Sequence, residues 1–214
     1  MKIKATVLLS TLVLGAAAQA QTAAPAAPKA PEPEYTLSFN VGAVSDYRYR
    51  GISQSRLQPA AQAGVDFAHQ SGLYVGAWSS TIKWIKDNSS AGNPIKGPVE
   101  LDLYGGYKTS VGDVGLDLGA LRYRYVGNDL QKTVTYSNAN TTEVYGAATY
   151  GVLTAKYSYS TTDLFGNLKT KGSQYLDLSA NFDLGNGLTL TPHLGHQAVK
   201  HEANLSYTDY SFTL

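Results

Sequence analysis

The sequence predicts an all-β chain, an antiparallel transmembrane β-barrel of the outer-membrane type with about ten strands. Three observations predict it. From Tyr35 onward, segments of roughly ten residues alternate apolar and polar side chains, as in Val99-Glu100-Leu101-Asp102-Leu103-Tyr104 and Val114-Gly115-Leu116-Asp117-Leu118-Gly119. The connections between segments alternate between tight and long. The composition has no Cys, 16 Tyr and 21 Gly. An exported domain without disulfides must rely on burial and closed hydrogen bonding. Tyr suits a bilayer interface, and Gly suits tight turns and curved strands.

The chain divides into three parts. Residues 1–20 read as a secretory signal peptide: Lys2 and Lys4 open it, Ala5–Leu14 is apolar but too short to span a bilayer, and Ala18-Gln19-Ala20 is a small-x-small cleavage site. Residues 21–34 are rich in Ala and Pro, which resist helix and sheet ladders, and read as an extended periplasmic linker. Residues 35–214 are the barrel.

The predicted strands are 35–50, 59–69, 73–83, 98–109, 114–126, 141–150, 152–161, 173–183, 187–197 and 205–214. Tight turns fall at Gln70-Ser71-Gly72, at 110–113, at Gly151 and at Gly185-Asn186-Gly187. The other connections are longer and polar. Short periplasmic turns opposite long extracellular loops are the outer-membrane pattern.

Parity along the strands separates two faces. Leu37, Phe39, Val41, Leu101, Leu103, Leu116, Leu118, Leu176, Leu178 and Phe212 fall on the lipid face. Asp66, Glu100, Asp102, Asp117, Glu143, Lys156 and Asp177 fall on the lumen face, with Tyr104, Tyr123, Tyr145 and Tyr175 beside them. Asp46, Arg48 and Arg50 share inward parity on an extra-long first strand, where Asp–Arg pairs would brace the wall or form a constriction. Residues 73–83 are ambiguous, because Tyr74 and Trp78 oppose Leu73, Val75 and Ala77. Arg122 and Arg124 share parity with Leu118, so unless a bulge turns them in they face outward near the rim, as snorkelling rim residues or, the less favoured reading, in contact with lipopolysaccharide phosphates.

Function classes narrow accordingly. Lys and Arg number 17 against 16 acids, and removing Lys2 and Lys4 leaves fifteen bases. That balance offers no electrostatic case for nucleic acid. No Walker loop, dinucleotide fingerprint, His-Glu-x-x-His or Gly-x-Ser-x-Gly occurs, so the sequence points to no cofactor, no metal and no catalytic residue. His193 and His196 differ in parity, so one extended strand does not converge them.

The stretch Ser45-Asp46-Tyr47-Arg48-Tyr49-Arg50-Gly51-Ile52-Ser53-Gln54, followed by the hairpin from Pro59 to Trp78, resembles the opening of the Gcw_chp family. These are uncharacterised proteobacterial exported proteins, also labelled TorF-family porins. The resemblance implies an outer-membrane barrel and, in a fuller chain, twelve strands. The expectation is a porin-like barrel for small polar solutes in contact with outer-membrane lipid and lipopolysaccharide. An inward set richer in acids than bases makes it weakly cation-preferring. A narrow barrel filled by its own side chains, structural or adhesive, is the main alternative, and a rim-active membrane enzyme the less favoured one.

Overall fold

The computed structural model describes residues 6–7 and 33–214. The rest of the signal peptide and the linker up to residue 32 lie outside the described residues. Fourteen strands follow in order: β1 (Thr6–Val7), β2 (Tyr35–Val44), β3 (Arg48–Tyr49), β4 (Ile52–Ser53), β5 (Ala60–His69), β6 (Leu73–Thr81) and β7 (Val99–Val111) come first. Then come β8 (Val114–Val126), β9 (Thr141–Tyr150), β10 (Leu153–Ser160), β11 (Gln174–Ala180), β12 (Phe182–Gly185), β13 (Leu188–Ala198) and β14 (Tyr207–Thr213). The main sheet runs β1-β2-β5-β6-β7-β8-β9-β10-β11-β13, with β12 and β14 both on β13, while β3 and β4 form a separate ribbon. Every pairing is antiparallel except β1 with β2. The predicted strand 173–183 is interrupted at Asn181, yet its two halves keep one register on β13, with Ser179 opposite His193 and Phe182 opposite Leu190.

Register settles the two open questions of parity. The β7–β8 ladder is unbroken from Val99↔Val126 to Val111↔Val114 and sets Arg122 opposite Leu103 and Arg124 opposite Leu101. With no bulge to turn them, both arginines stay on the outer face. On β6, Leu73 and Val75 are exposed outward, while the Tyr74 hydroxyl reaches Asp117 at 2.6 Å on the inner face.

The sheet is strongly curved. Neighbouring strands are about 4.8 Å apart, so β6 and β9 would be separated by roughly 14 Å if the sheet were flat. Instead the hydroxyls of Tyr74 on β6 and Tyr145 on β9 are hydrogen-bonded across the concave face. The expected closure is not reached: among the described residues no ladder joins β2 to β14. The segment after β2 turns inward and lies against β14, where an ideal Cβ on Gly51 would be 2.7 Å from Asp209 Cβ.

The buried apolar core sits at one end, under the long connections. Ile82, Ile85 and Ile95, from the β6–β7 connection, pack with Leu130 and Ala139 from the β8–β9 connection and with Tyr123 and Tyr125. Ile85 and Leu130 are fully buried, each inside a short 3₁₀ turn, Trp84–Asn88 and Leu130–Lys132. The outer wall, by contrast, exposes Val41, Leu103, Leu118, Leu176 and Leu194.

Candidate functional site

The first strand is shorter than the predicted 35–50, and this changes the site. It ends at Val44 because Asp46 draws the following chain into a compact loop. The Asp46 carboxylate accepts from Ser53 Oγ at 2.5 Å, Ser55 Oγ at 3.1 Å and the Leu57 amide at 3.1 Å, and Arg48 Nε lies 2.8 Å away. Such side-chain acceptors compete with the sheet ladder for local donors. The Ser53 hydroxyl, more than any other group, holds this carboxyl below the usual carboxylate range. Within the loop, β3 and β4 pair around Arg50-Gly51, whose φ values are +46° and +78°. A two-residue turn with both φ positive is a type I′ hairpin, which normally favours Asn-Gly. Arg50 takes the first position and its side chain is repaid by its contacts.

Asp46, Arg48 and Arg50 therefore do not share one face, as an extended strand would require. Arg48 is half-exposed and holds Asp46. Arg50 is carried at the hairpin tip into the concave interior. Its Nη1 and Nη2 donate to Glu143 Oε1 and Oε2 at 3.0 and 2.7 Å, and Nη1 also donates to Gln197 Oε1 at 2.8 Å. The guanidinium lies 4.1 Å from the Tyr175 ring centroid and 4.8 Å from that of Tyr49. Both partners are dry, with side chains 7 % and 4 % exposed. The partner of Arg50 is thus on β9, far from the adjoining hairpin. Two further contacts dock the loop: Tyr47 donates to Glu100 Oε1 at 2.9 Å, and the Tyr49 and Tyr123 hydroxyls meet at 2.6 Å. Tyr47 also packs edge-on against Trp78.

Beside this hairpin tip lies a cavity of about 500 Å³. Of the residues predicted to face inward, Arg48, Arg50, Asp102, Glu143, Lys156 and Asp177 line it. Three others are engaged by tyrosine hydroxyls: Asp66 by Tyr104 at 2.5 Å, Asp117 by Tyr74, and Glu100 by Tyr47. Asp46 is used up inside the loop. Lys156 sits 3.9 Å above the Tyr145 ring centroid. His193 stands between two acids, 3.4 Å from Asp177 and 3.0 Å from Asp209, and the Tyr175 hydroxyl also donates to Asp209 at 3.0 Å. Parity along 187–197 and 205–214 puts His193 and Asp209 inward, but only the pairing of β13 with β14 brings them together. Gln197, not among the predicted inward residues, has the parity of His193 and faces inward with it. Two carboxylate oxygens, Glu100 Oε2 and Asp102 Oδ1, are buried with no donor among the described residues.

Tyr104 and Tyr145 face inward, as their parity predicts, and Tyr74 joins them. Tyr74, Tyr104 and Tyr145 lie flat on the inner face over glycines directly across the ladder, Gly106, Gly76 and Gly119. An aromatic ring over a cross-strand Gly covers backbone that would otherwise be open, and the missing Cβ makes room for it. At Gly119 an ideal Cβ would fall 2.6 Å from the Tyr145 ring and 2.8 Å from the Gly105 carbonyl oxygen. Gly119→Ala is therefore expected to lower stability by about 1–3 kcal/mol through forced displacement of the ring. Gly112→Ala is its control for space: that turn glycine has nothing within 4 Å of an added Cβ, and only its φ of +59° is disfavoured. Urea midpoints of the two variants against the parent check this.

No curated protein and no solved structure matches the chain. A family model described as "Bacterial protein of unknown function (Gcw_chp)" matches residues 27–214, which takes in the docked loop, both faces of the sheet and every residue of the cavity. The chain belongs to the Gcw_chp family.

Proposed function

We propose that this protein is an outer-membrane barrel that passes small polar solutes, with a weak preference for cations, through an interior narrowed by the loop 45–58. The supporting observation is the division of one curved sheet into an exposed apolar outer face and a polar inner face around a 500 Å³ charged cavity. Lipid would cover Phe39, Leu103, Leu118 and Leu176, and the outward Arg122 and Arg124 would meet lipopolysaccharide phosphates. In hydrocarbon the edge of β14 and the stretch of β2 that β1 leaves open must be paired, by one another or through intervening strands, since lipid offers no hydrogen bonds. The cavity brings four carboxylates, Asp102, Glu143, Asp177 and Asp209, against the three permanent cations Arg48, Arg50 and Lys156. That surplus is small, and Arg50 is already neutralised by Glu143, so the preference is modest.

Reversal potentials under a salt gradient test the reading. The parent is expected to favour cations, and Asp102→Asn with Asp177→Asn is expected to remove or invert that preference. An anion-selective channel would overturn the charge assignment. A second reading, a structural barrel that does not conduct, draws on the three buried contacts that dock the loop in the interior. Absence of single-channel conductance in correctly assembled protein would favour it over the first.

A further inference from the structure

The docked hairpin divides the interior in two, and the side away from the charged cavity is a site of a different kind. It is a cleft of about 260 Å³ under the long connections, and Tyr49 borders both spaces. Its wall is a chain of edge-on rings: Trp84 on Tyr125 with centroids 5.3 Å apart, Tyr125 on Phe165 at 6.4 Å, and Phe165 on Tyr49 at 5.6 Å. Leu164, Val199 and Leu205 complete the apolar surface. Among the described residues no charged side chain lines it. An ion entering would lose its hydration without a counter-charge, so the cleft excludes ions that the neighbouring cavity accepts.

The polar groups of the cleft point to one kind of ligand. Gln54, Asn167 and Gln197 are its amides. Their donors are committed: Gln54 Nε2 to Ile52 O, Asn167 Nδ2 to Leu164 O and Gln197 Nε2 to Gln174 O. Gln197 Oε1 is taken by Arg50. Among the described residues no donor reaches Gln54 Oε1 or Asn167 Oδ1, and the buried Trp84 Nε1 finds no acceptor, so the cleft presents free acceptors and one free donor on an aromatic floor, which a hydroxyl that both donates and accepts can serve. We infer that it binds a small neutral ring compound carrying a hydroxyl donor, of the size and chemistry of a simple phenol. The ring would lie against Phe165 and Trp84, and the hydroxyl would donate to one of the free amide oxygens. Because the cleft needs neither an open passage nor a charge, this inference stands apart from the conduction reading.

The experiment uses the full chain, purified in detergent with ¹³C-labelled Leu and Val methyls, and p-cresol as the probe. Leu164, Val199 and Leu205 methyls are expected to shift with saturation in the millimolar range or tighter, while Leu118 on the outer wall changes only linearly as p-cresol partitions into detergent. Toluene, which lacks the donor, is expected to bind about fivefold more weakly, in keeping with one net hydrogen bond. Benzoate is expected to give no saturable shift at these methyls. Leu205→Trp, at the half-exposed edge of the cleft, is expected to abolish the p-cresol response while leaving the Leu118 signal in place. Equal saturable shifts with toluene or benzoate would overturn the assigned ligand class. Shifts that are linear everywhere, or unchanged by Leu205→Trp, would overturn the site itself. None of these outcomes depends on conductance, so they separate from failure of the porin-like reading.

Discussion

Glu143→Gln is expected to release the loop 45–58 from the interior and to raise single-channel conductance several-fold. The parent pair is bidentate and dry, with Arg50 donating twice to Glu143 at 2.7 and 3.0 Å. Removing one partner of a buried pair leaves the other charged and unpaired, at a cost of about 3–5 kcal/mol. The hairpin also holds two anchors through tyrosine hydroxyls, worth about 1 kcal/mol net for Tyr49 with Tyr123 and about 1.5–3 kcal/mol for Tyr47 on the Glu100 carboxyl. The ion pair is therefore the largest single anchor of the loop. Trp78 reports the change independently of conduction, because Tyr47 packs on it with ring centroids 5.3 Å apart. In a Trp84→Phe background, Glu143→Gln should shift and quench Trp78 emission. The double variant Arg50→Met/Glu143→Gln removes both charges and should recover much of the lost docking. If Glu143→Gln and the double variant both behaved like the parent, the ion pair would not be what holds the loop.

Leu118→Arg is expected to impair membrane assembly by about 2–4 kcal/mol, the cost of a charge on a lipid face near mid-bilayer. Leu118 lies in the middle of β8 with its side chain on the outer wall, 64 % exposed. The neighbouring Asp117→Asn should be tolerated, because an amide oxygen can still accept the Tyr74 hydroxyl. Leu101→Arg and Leu116→Arg should follow Leu118→Arg. Heat-modifiable migration of the folded protein in detergent gels distinguishes the pairs. A soluble sheet protein would respond oppositely, since Arg at an exposed Leu improves solubility. Equal behaviour of Leu118→Arg and Asp117→Asn would refute the assignment of faces.

The sheet was largely legible from residue pattern. Period-two alternation ties each side chain to a face, and a one-residue slip would reverse every face at once. So Leu103, Leu118 and Leu176 could be placed outward, and Asp102, Glu143 and Asp177 inward, before any coordinates. The loops were less legible. Ile85, Ile95 and Leu130 sit in long, mostly polar connections and carry no period, so their joint burial depends on two connections meeting in space. The same limit applies to Asp209 and His193, whose pairing follows from adjacent strands.

The alternating pattern and turn spacing by themselves determined an antiparallel all-β chain, its ten principal strands and the sorting of apolar from polar faces, because these depend on neighbours along the chain and on hairpin pairing. Tertiary structure decided the site. Nothing local distinguishes an extended Ser45–Gly51 from a segment that turns at Asp46, closes a type I′ hairpin and carries Arg50 to a carboxylate 93 residues away. That choice rests on the low-dielectric interior, where a bidentate ion pair and edge-on aromatic contacts of Tyr47 and Tyr49 outweigh the strand pairing given up after Val44. It likewise decided that the inward Tyr74, Tyr104 and Tyr145 each cover a glycine across the ladder, since only registered strands bring a ring over the one residue without a Cβ.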